Sequence, residues 1–206
     1  MYRGWLTSDE TIEMKEPALG GAETFFGIEG LQANVNEFWR FAMPDFRVNT
    51  IRGLLAEDLV WRALGGDEPR RIEWNAFDVD WEGIRLEVKS SDLLQAWRQT
   101  DASKLIFSGL KARWQSLDGK HTDEEASLKA DVYVFAAHLA TTHDDYKQLD
   151  LGHWHFAVLS KSKLEAIGQK SISWPVVLKN AGGETPWHDL QRAVRAAMAG
   201  NSDSQR

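Results

Sequence analysis

The segment that most constrains this fold spans residues 78–89, DVDWEGIRLEVK, which has the pattern of a two-faced β-hairpin. A turn at Glu82 and Gly83 brings Trp81 opposite Ile84 and Val79 opposite Leu86. Because side chains alternate between the two faces of a strand, the apolar residues share one face and are expected to point into a core. These residues are Phe77, Val79, Trp81, Ile84, Leu86 and Val88.

The other face of this hairpin is charged and sets two carboxylates against each other. The same register places Asp78 opposite Glu87 and Asp80 opposite Arg85. Two acids directly across a strand pair repel each other unless a cation lies between them, and a divalent metal ion is the obvious candidate. The alternative is a solvated face on which Asp80 pairs with Arg85 and Glu87 pairs with Lys89, since surface ion pairs are common and contribute little.

Composition restricts the metal chemistry and the compartment. The 206 residues, 43% of them hydrophobic, can bury one substantial core. The absence of cysteine excludes disulfides, thiolate zinc sites and cysteine nucleophiles, so a metal must be held by oxygen or imidazole. No long apolar run or signal-like N-terminus is present, so we expect a cytoplasmic protein with no membrane partner.

The charge distribution matters more than the net charge of −7, which argues against nucleic-acid binding by bulk electrostatics. Residues 85–113 are locally basic, with six cations against three acids. The cations are Arg85, Lys89, Arg98, Lys104, Lys111 and Arg113, and the acids are Glu87, Asp92 and Asp101. A basic patch beside an acidic pocket suits phosphate chemistry, although a solvated face would also explain it.

The remaining periodicities predict an α/β (α+β) fold in which helices flank a central mixed β-sheet. Helices are predicted at 31–42, 50–64, 161–167 and 187–198, and strands at 104–110, 132–137, 153–159 and 171–178, the last interrupted by Pro175. Residues 90–99 are predicted as a turn with a short loop or helix, and 114–129 as an exposed loop with a helical piece. We expect a loosely structured arm at 1–29, a single domain at 30–199 and a disordered tail at 200–206.

Glu57 is an exception on the predicted helix 50–64, which Asn49 or Thr50 would cap and Gly65 and Gly66 would end. Its carboxylate lies on an otherwise apolar side of the helix. An unpaired buried charge is costly, so Glu57 needs a partner. That partner is a capping contact, an arginine such as Arg71, or the metal pocket of the hairpin.

Glu57 on a helix, Asp78 on a strand and the triplet Glu87-Val88-Lys89 together resemble the PD-(D/E)XK phosphodiesterase superfamily. The resemblance covers residues 50–91 and implies a restriction endonuclease-like core. The wider run from FWRFAMPDF to EVKSSDLLQAW resembles uncharacterised bacterial proteins of that superfamily. Phe77 stands where the superfamily has proline.

The resemblance implies a nuclease that uses Mg²⁺, for which Mn²⁺ can substitute. Asp78, Glu87 and the Val88 carbonyl would bind the ion, and Glu57 would hold it through water or assist a second ion. Lys89 would orient or deprotonate the attacking water. Asp80 is an alternative metal ligand to Asp78. We prefer Asp78, because Asp78 lies opposite Glu87. The implied substrate is nucleic acid, DNA rather than RNA, in a restriction, defence or repair role.

Four polar residues after the hairpin are secondary candidates for contacts with nucleic-acid phosphates: Ser90, Ser91, Gln95 and Arg98. Recognition could also come from a homodimer or a partner subunit, because the chain has no evident helix-turn-helix or zinc module. The alternative function is a catalytically silent nucleic-acid-binding or structural subunit with the same fold.

A different metal site is also open. His153 and His155 share a strand face, and His138 or His143 could approach it, which would suit a transition metal.

Overall fold

The computed structural model describes residues 20–27, 29–66, 76–113, 122–147 and 149–203. The chain packs as two compact units, 1–44 and 45–206. The sequence predicts a division after residue 29 instead, and most of the predicted arm lies outside the described residues.

Five α-helices are present in the described part of the chain: α1 Val35–Ala42, α2 Asn49–Ala63, α3 Lys161–Ile167, α4 Trp174–Ala181 and α5 Leu190–Asp203. Its six strands are β1 Val79–Trp81, β2 Ile84–Asp92, β3 Ile106–Phe107, β4 Val132–His138, β5 Trp154–Ser160 and β6 Ile172–Ser173. Short 3₁₀ turns at Leu151–His153 and Trp187–Asp189 precede β5 and α5. None of the described helices is both long enough and apolar enough to span a bilayer.

The first unit contains α1, whose start is fixed by a reciprocal cap. The Asn34 side chain accepts a hydrogen bond from the Glu37 amide at 3.0 Å, and the Glu37 carboxylate accepts one from the Asn34 amide at 2.8 Å. Such a capping box satisfies two amides that the first helical turn leaves unpaired. The helix predicted from residue 31 therefore begins only at Val35.

The second unit is built on a four-stranded sheet in the order β1-β2-β4-β5. β2 lies parallel to β4, whereas β1 and β5 run antiparallel to their neighbours, so the predicted mixed sheet is confirmed. Helices α2 and α5 pack on one face. The other face is covered by α3, α4 and the small β3–β6 sheet. The predicted flanking of the sheet by helices is therefore also confirmed.

The hairpin forms with the predicted turn. Glu82 and Gly83 both have positive φ, 51° and 77°, as a tight two-residue turn requires. Three cross-strand pairs agree with the prediction: Val79 with Leu86, Asp80 with Arg85 and Trp81 with Ile84. The ladder ends at Val79, so the fourth predicted pair, Asp78 with Glu87, lies outside it.

Helix α2 begins one residue earlier than predicted, because neither Asn49 nor Thr50 caps it. Val48 occupies the cap position, without a side-chain hydrogen bond. The predicted C-terminal stop is confirmed: the helix ends at Ala63, and Gly65 follows with a φ of 87°.

Several predicted boundaries after the hairpin turn were wrong. Strand β2 runs on to Asp92 through residues predicted as a turn, because they pair with β4. The predicted strand 104–110 is reduced to Ile106–Phe107. The predicted strand 171–178 is a two-residue strand followed by α4, in which Pro175 lies in the first turn. Helix α5 continues to Asp203, inside the predicted tail.

Candidate active site

Strand β2 directs Glu87 and Lys89 to the face of the sheet opposite α2. Their neighbours Leu86 and Val88 are buried in the core beneath α2. Alternation along the strand therefore turns Glu87 and Lys89 the other way. There they neighbour β4, because Glu87 is paired with Tyr133 and Lys89 with Phe135.

Asp78 is fixed beside β2 by hydrogen bonds that replace the missing ladder pair. Its amide donates to the Leu86 carbonyl at 3.0 Å. Its carboxylate Oδ2 accepts the Val88 amide at 2.7 Å. The side chain thus takes the acceptor role that a backbone carbonyl would have had, and the carboxylate is held next to the Glu87-Val88-Lys89 triplet.

Asp78 and Glu87 line one cavity of about 150 Å³. Its wall is formed by residues from the hairpin, from β4 and from two connecting segments: Ala76, Phe77, Asp78, Glu87, Gly109, Leu110, Ala112, Arg113, Lys129 and Tyr133. The cavity therefore combines carboxylates with cationic side chains.

Lys89 and Glu87 form an ion pair with a distance of 2.6 Å between Nζ and Oε1. Their side chains are only 22% and 16% exposed, so water screens this pair less than a surface pair. The ammonium also faces Gly109, where an added Cβ would lie 3.9 Å from Nζ. The predicted pairing of Glu87 with Lys89 is present, but both side chains are largely covered, and Glu87 lines the cavity instead of an open face.

Burial raises the pKa of Glu87 above its ordinary value, and repulsion from Asp78 raises it further. Lys89 opposes this shift, and Glu57 adds a smaller repulsion. The three predicted acids are therefore within electrostatic range of one another, and together with burial they outweigh the attraction of the single ammonium.

Glu57 lies half-buried on α2, and its predicted alternative partner Arg71 is outside the described residues. Within the described ranges, no three or more His, Asp or Glu side chains are grouped as ligands for a metal ion. Asp78 and Glu87 thus line one cavity, and Lys89 is bound to Glu87 without lining it. Glu57 is near enough to influence Glu87 but does not line that cavity either.

Asp80 occupies a different environment from Asp78. It is exposed near the hairpin tip, where its Oδ1 accepts the Gly83 amide at 3.1 Å. Asp80 and Arg85 are opposite each other in the strand pair, but the predicted ion pair between them was wrong, because Arg85 instead binds Asp131, with 2.6 Å between Nη2 and Oδ1. Asp80 does not line the cavity that contains Glu87.

The four predicted phosphate contacts differ in accessibility. Ser91 and Gln95 are each only 7% exposed, and the Gln95 Nε2 donates to the Asp92 carbonyl at 3.0 Å. Ser91 is buried because β2 continues further than predicted, and Gln95 is buried just beyond the end of that strand. Ser90 is half-buried and Arg98 is exposed, so these two remain accessible to a ligand.

Three polar side chains that line the cavity were not predicted as functional: Arg113, Lys129 and Tyr133. Arg113 belongs to the locally basic segment 85–113, which was the only sequence signal for it. The position of Tyr133 depends on the pairing of β2 with β4, two strands separated by some forty residues of chain.

A second buried polar cluster lies where β2 and β4 end, and it too was not predicted. Asp92 and His138 are paired across the two strands and are fully buried. The Tyr146 hydroxyl donates to Asp92 Oδ2 at 2.5 Å, and Arg52 Nη1 lies 3.8 Å from the same oxygen. Desolvation lowers the pKa of Arg52, and Asp92 opposes that shift.

The histidines predicted as an alternative metal site do not share one environment. His138 is buried with its ring centroid 5.6 Å from that of His153. His155 instead contacts Glu184, with 2.7 Å between Nδ1 and Oε2. His143 Nδ1 lies 3.4 Å from Arg47 Nη1. A shared transition-metal centre therefore has no support in the described residues.

No family model, no curated protein and no solved structure matches this chain.

Proposed function

We propose that this protein is a Mg²⁺-dependent phosphodiesterase that hydrolyses nucleic acid, with DNA as the preferred substrate, on a restriction endonuclease-like core. One observation carries the proposal. Asp78 and Glu87 line a single cavity, the Lys89 ammonium is bound to Glu87, and Glu57 lies within electrostatic range.

The donor set suits a hard divalent cation. Mg²⁺ is usually held by one or two carboxylates together with water and substrate phosphate, so a preformed group of three acids is not required. Asp78, Glu87 and the Val88 carbonyl would hold the ion, with Glu57 assisting through water. Burial raises the pKa of Glu87 most, and repulsion from Asp78 raises it further, so these two carboxylates would gain from a shared cation. When bound, the ion would acidify a water molecule and offset charge on the phosphate.

The side chains of the site have distinct roles in this proposal. Asp78 is oriented by the Val88 amide, which fixes one of its two oxygens. Glu87 orients Lys89 through their ion pair. The Lys89 ammonium would position the attacking water and stabilise negative charge on the phosphate. A fixed cation has its largest electrostatic effect in a site from which water is largely excluded.

Nucleic acid is favoured as the substrate by the cations around the acids. Arg98 is exposed on the segment after β2, and Arg113 and Lys129 line the cavity itself. The preference for DNA, the use of Mn²⁺ in place of Mg²⁺, and a cytoplasmic restriction, defence or repair role follow from the resemblance of the Glu57, Asp78 and Glu87-Val88-Lys89 pattern. A homodimer or a partner subunit would supply any sequence specificity.

Purified protein with Mg²⁺ or Mn²⁺ should cleave labelled DNA, and Asp78→Asn and Lys89→Ala should each abolish cleavage while thermal melts show a folded protein. Loss of an essential catalytic group commonly costs about 10³-fold or more in rate. Asp80→Asn is the matched control. It changes the same kind of side chain on the same hairpin, but outside the cavity, so cleavage should persist.

Three results would contradict the proposal. Cleavage by Asp78→Asn together with loss of cleavage by Asp80→Asn would move the site to the hairpin tip. If the Lys89→Ala variant still cleaves DNA, the Lys89 ammonium has no essential role in the reaction. Binding of DNA and RNA in duplex, single-stranded and branched forms, without cleavage of any of them, would establish the catalytically silent alternative.

A further inference from the structure

We propose that Arg113, supported by Lys129, binds a backbone phosphate next to the scissile one and thereby forms a substrate subsite on the cavity wall. This inference rests on the proposed function, because the ligand is the same nucleic-acid strand. It names a contact that the Glu57, Asp78 and Glu87-Val88-Lys89 pattern does not include.

The first argument is the distribution of charge within the cavity. Asp78 and Glu87 lie on the hairpin, while Arg113 and Lys129 come from the segments after β3 and before β4. A polyanion that approaches two carboxylates is repelled unless cations compensate for them. Lys89 is already bound to Glu87, so Arg113 and Lys129 are the cations that the cavity wall itself offers to a neighbouring phosphate.

The second argument separates the two cations of that wall. Lys129 forms an ion pair with Asp123, and its side chain is largely covered. Arg113 is exposed and forms neither an ion pair nor a hydrogen bond with any residue that the structure describes. A guanidinium presents a planar fork of donors that matches phosphate oxygens. Arg113 is therefore the primary contact, and Lys129 adds positive potential.

The third argument is that the cavity wall is held in place from the sheet. The Tyr133 hydroxyl accepts the Lys129 amide at 3.1 Å and lies 3.4 Å from the Leu110 carbonyl, to which it donates. Tyr133 is itself paired with Glu87 across β2 and β4. One side chain thus links both connecting segments to the strand position that carries the acid, which sets the wall at a fixed place relative to Glu87.

Binding of a labelled DNA duplex, measured by fluorescence anisotropy in Ca²⁺ over a range of salt concentrations, tests the subsite. Arg113→Ala should weaken binding about tenfold, as expected for a lost charged hydrogen bond. It should also reduce the slope of log K against log salt by about 0.9, the value for one phosphate contact on duplex DNA. Arg113→Lys should keep most of that slope, because the positive charge remains.

Lys111→Ala is the matched control, since Lys111 is an exposed cation two residues away that does not line the cavity. Equal weakening by Lys111→Ala and Arg113→Ala would show diffuse attraction and overturn the subsite. Unchanged binding by Arg113→Ala would overturn it as well, and so would a wild-type protein that binds no DNA. Selective weakening by Arg113→Ala in a protein that never cleaves would support the subsite and refute the proposed nuclease activity.

Discussion

Replacing Glu87 with glutamine should stabilise the protein in the absence of metal and remove its response to Mg²⁺. The carboxylate is largely covered, and burial together with repulsion from Asp78 raises its pKa despite the nearby Lys89. At neutral pH its charge therefore opposes folding. Glutamine keeps the shape of the side chain, removes the charge and still offers Lys89 an oxygen acceptor.

The sign of the pH dependence follows from the direction of the shift. The unfolded chain ionises Glu87 near its ordinary pKa of about 4.3, whereas the folded protein does so at a higher pH. Below the unfolded pKa both states are protonated, and Glu87 has no effect on the free energy of unfolding. As pH rises from the unfolded pKa through the folded pKa, the unfolded state loses the Glu87 proton before the folded state does. The wild type therefore loses stability over this range, which Glu87→Gln retains.

The expected gain is about 0.5–1 kcal/mol at neutral pH, the usual size for relieving one unfavourable charge after the loss of its ion pair. For a chain of this length that is a rise of about 1–4 °C in Tm. In Mg²⁺ the order of the two Tm values should be reversed. A ligand at tenfold excess over its Kd stabilises the folded state by about 1.4 kcal/mol, and only the wild type should gain it.

Thermal melts in EDTA and in Mg²⁺, over a series of pH values, measure both effects. Asp80→Asn serves as the control, because Asp80 is exposed and asparagine can still accept the Gly83 amide. Its Tm should match the wild type in both conditions. A lower Tm for Glu87→Gln than for the wild type in EDTA at neutral pH would refute the electrostatic reasoning, and an equal Mg²⁺ response in both proteins would remove Glu87 from the metal site.

Three further substitutions test other parts of the structure. Asp92→Ala removes a buried acid that binds Tyr146, the Leu94 amide and Arg52, so urea denaturation should show a free energy of unfolding lower by about 3–5 kcal/mol. A smaller decrease than that of Tyr146→Phe would contradict the central place of Asp92 in the cluster. Tyr146→Phe deletes one hydrogen bond to a charged acceptor and should cost about 1.5–3 kcal/mol in the same assay. Gly109→Ala forces an alanine to a φ of 65° and should cost about 1–2 kcal/mol, and an unchanged Tm would argue against that backbone conformation.

The local features of the hairpin could be predicted from the sequence. The Glu82-Gly83 turn and the alternation of apolar residues specify the register, and the structure has the three pairs they predict. The position of Asp78 could not be predicted, because its carboxylate ends the ladder by accepting the Val88 amide. The rules of strand pairing describe hydrogen bonds between backbone groups, and they do not predict that a side chain will take the place of a backbone acceptor.

Two of the boundary errors after the hairpin turn have identifiable physical origins. The valines after Pro175 favour a strand by propensity, yet Pro175 suits the first turn of a helix and α4 forms there. Residues 90–92 look like a turn, but pairing with β4 makes them strand. At Pro175 one local signal outweighs another, whereas at residues 90–92 strand pairing outweighs local preference. The burial of Ser91 follows from this extension of β2.

Strand β2 also explains how the acids can repel one another and still remain close. Its centre carries Glu87, and its end carries Asp92, which contacts Arg52 near the start of α2. Glu57 lies about one and a half turns further along the same helix. The buried contact between Arg52 and Asp92 therefore ties the helix that carries Glu57 to the strand that carries Glu87. Burial raises the pKa of Glu87 most and repulsion from Asp78 raises it further, while this contact keeps Glu57 near enough to add a smaller repulsion. Acids that are held close to one another in this way are where a bound cation gains most from electrostatic preorganisation.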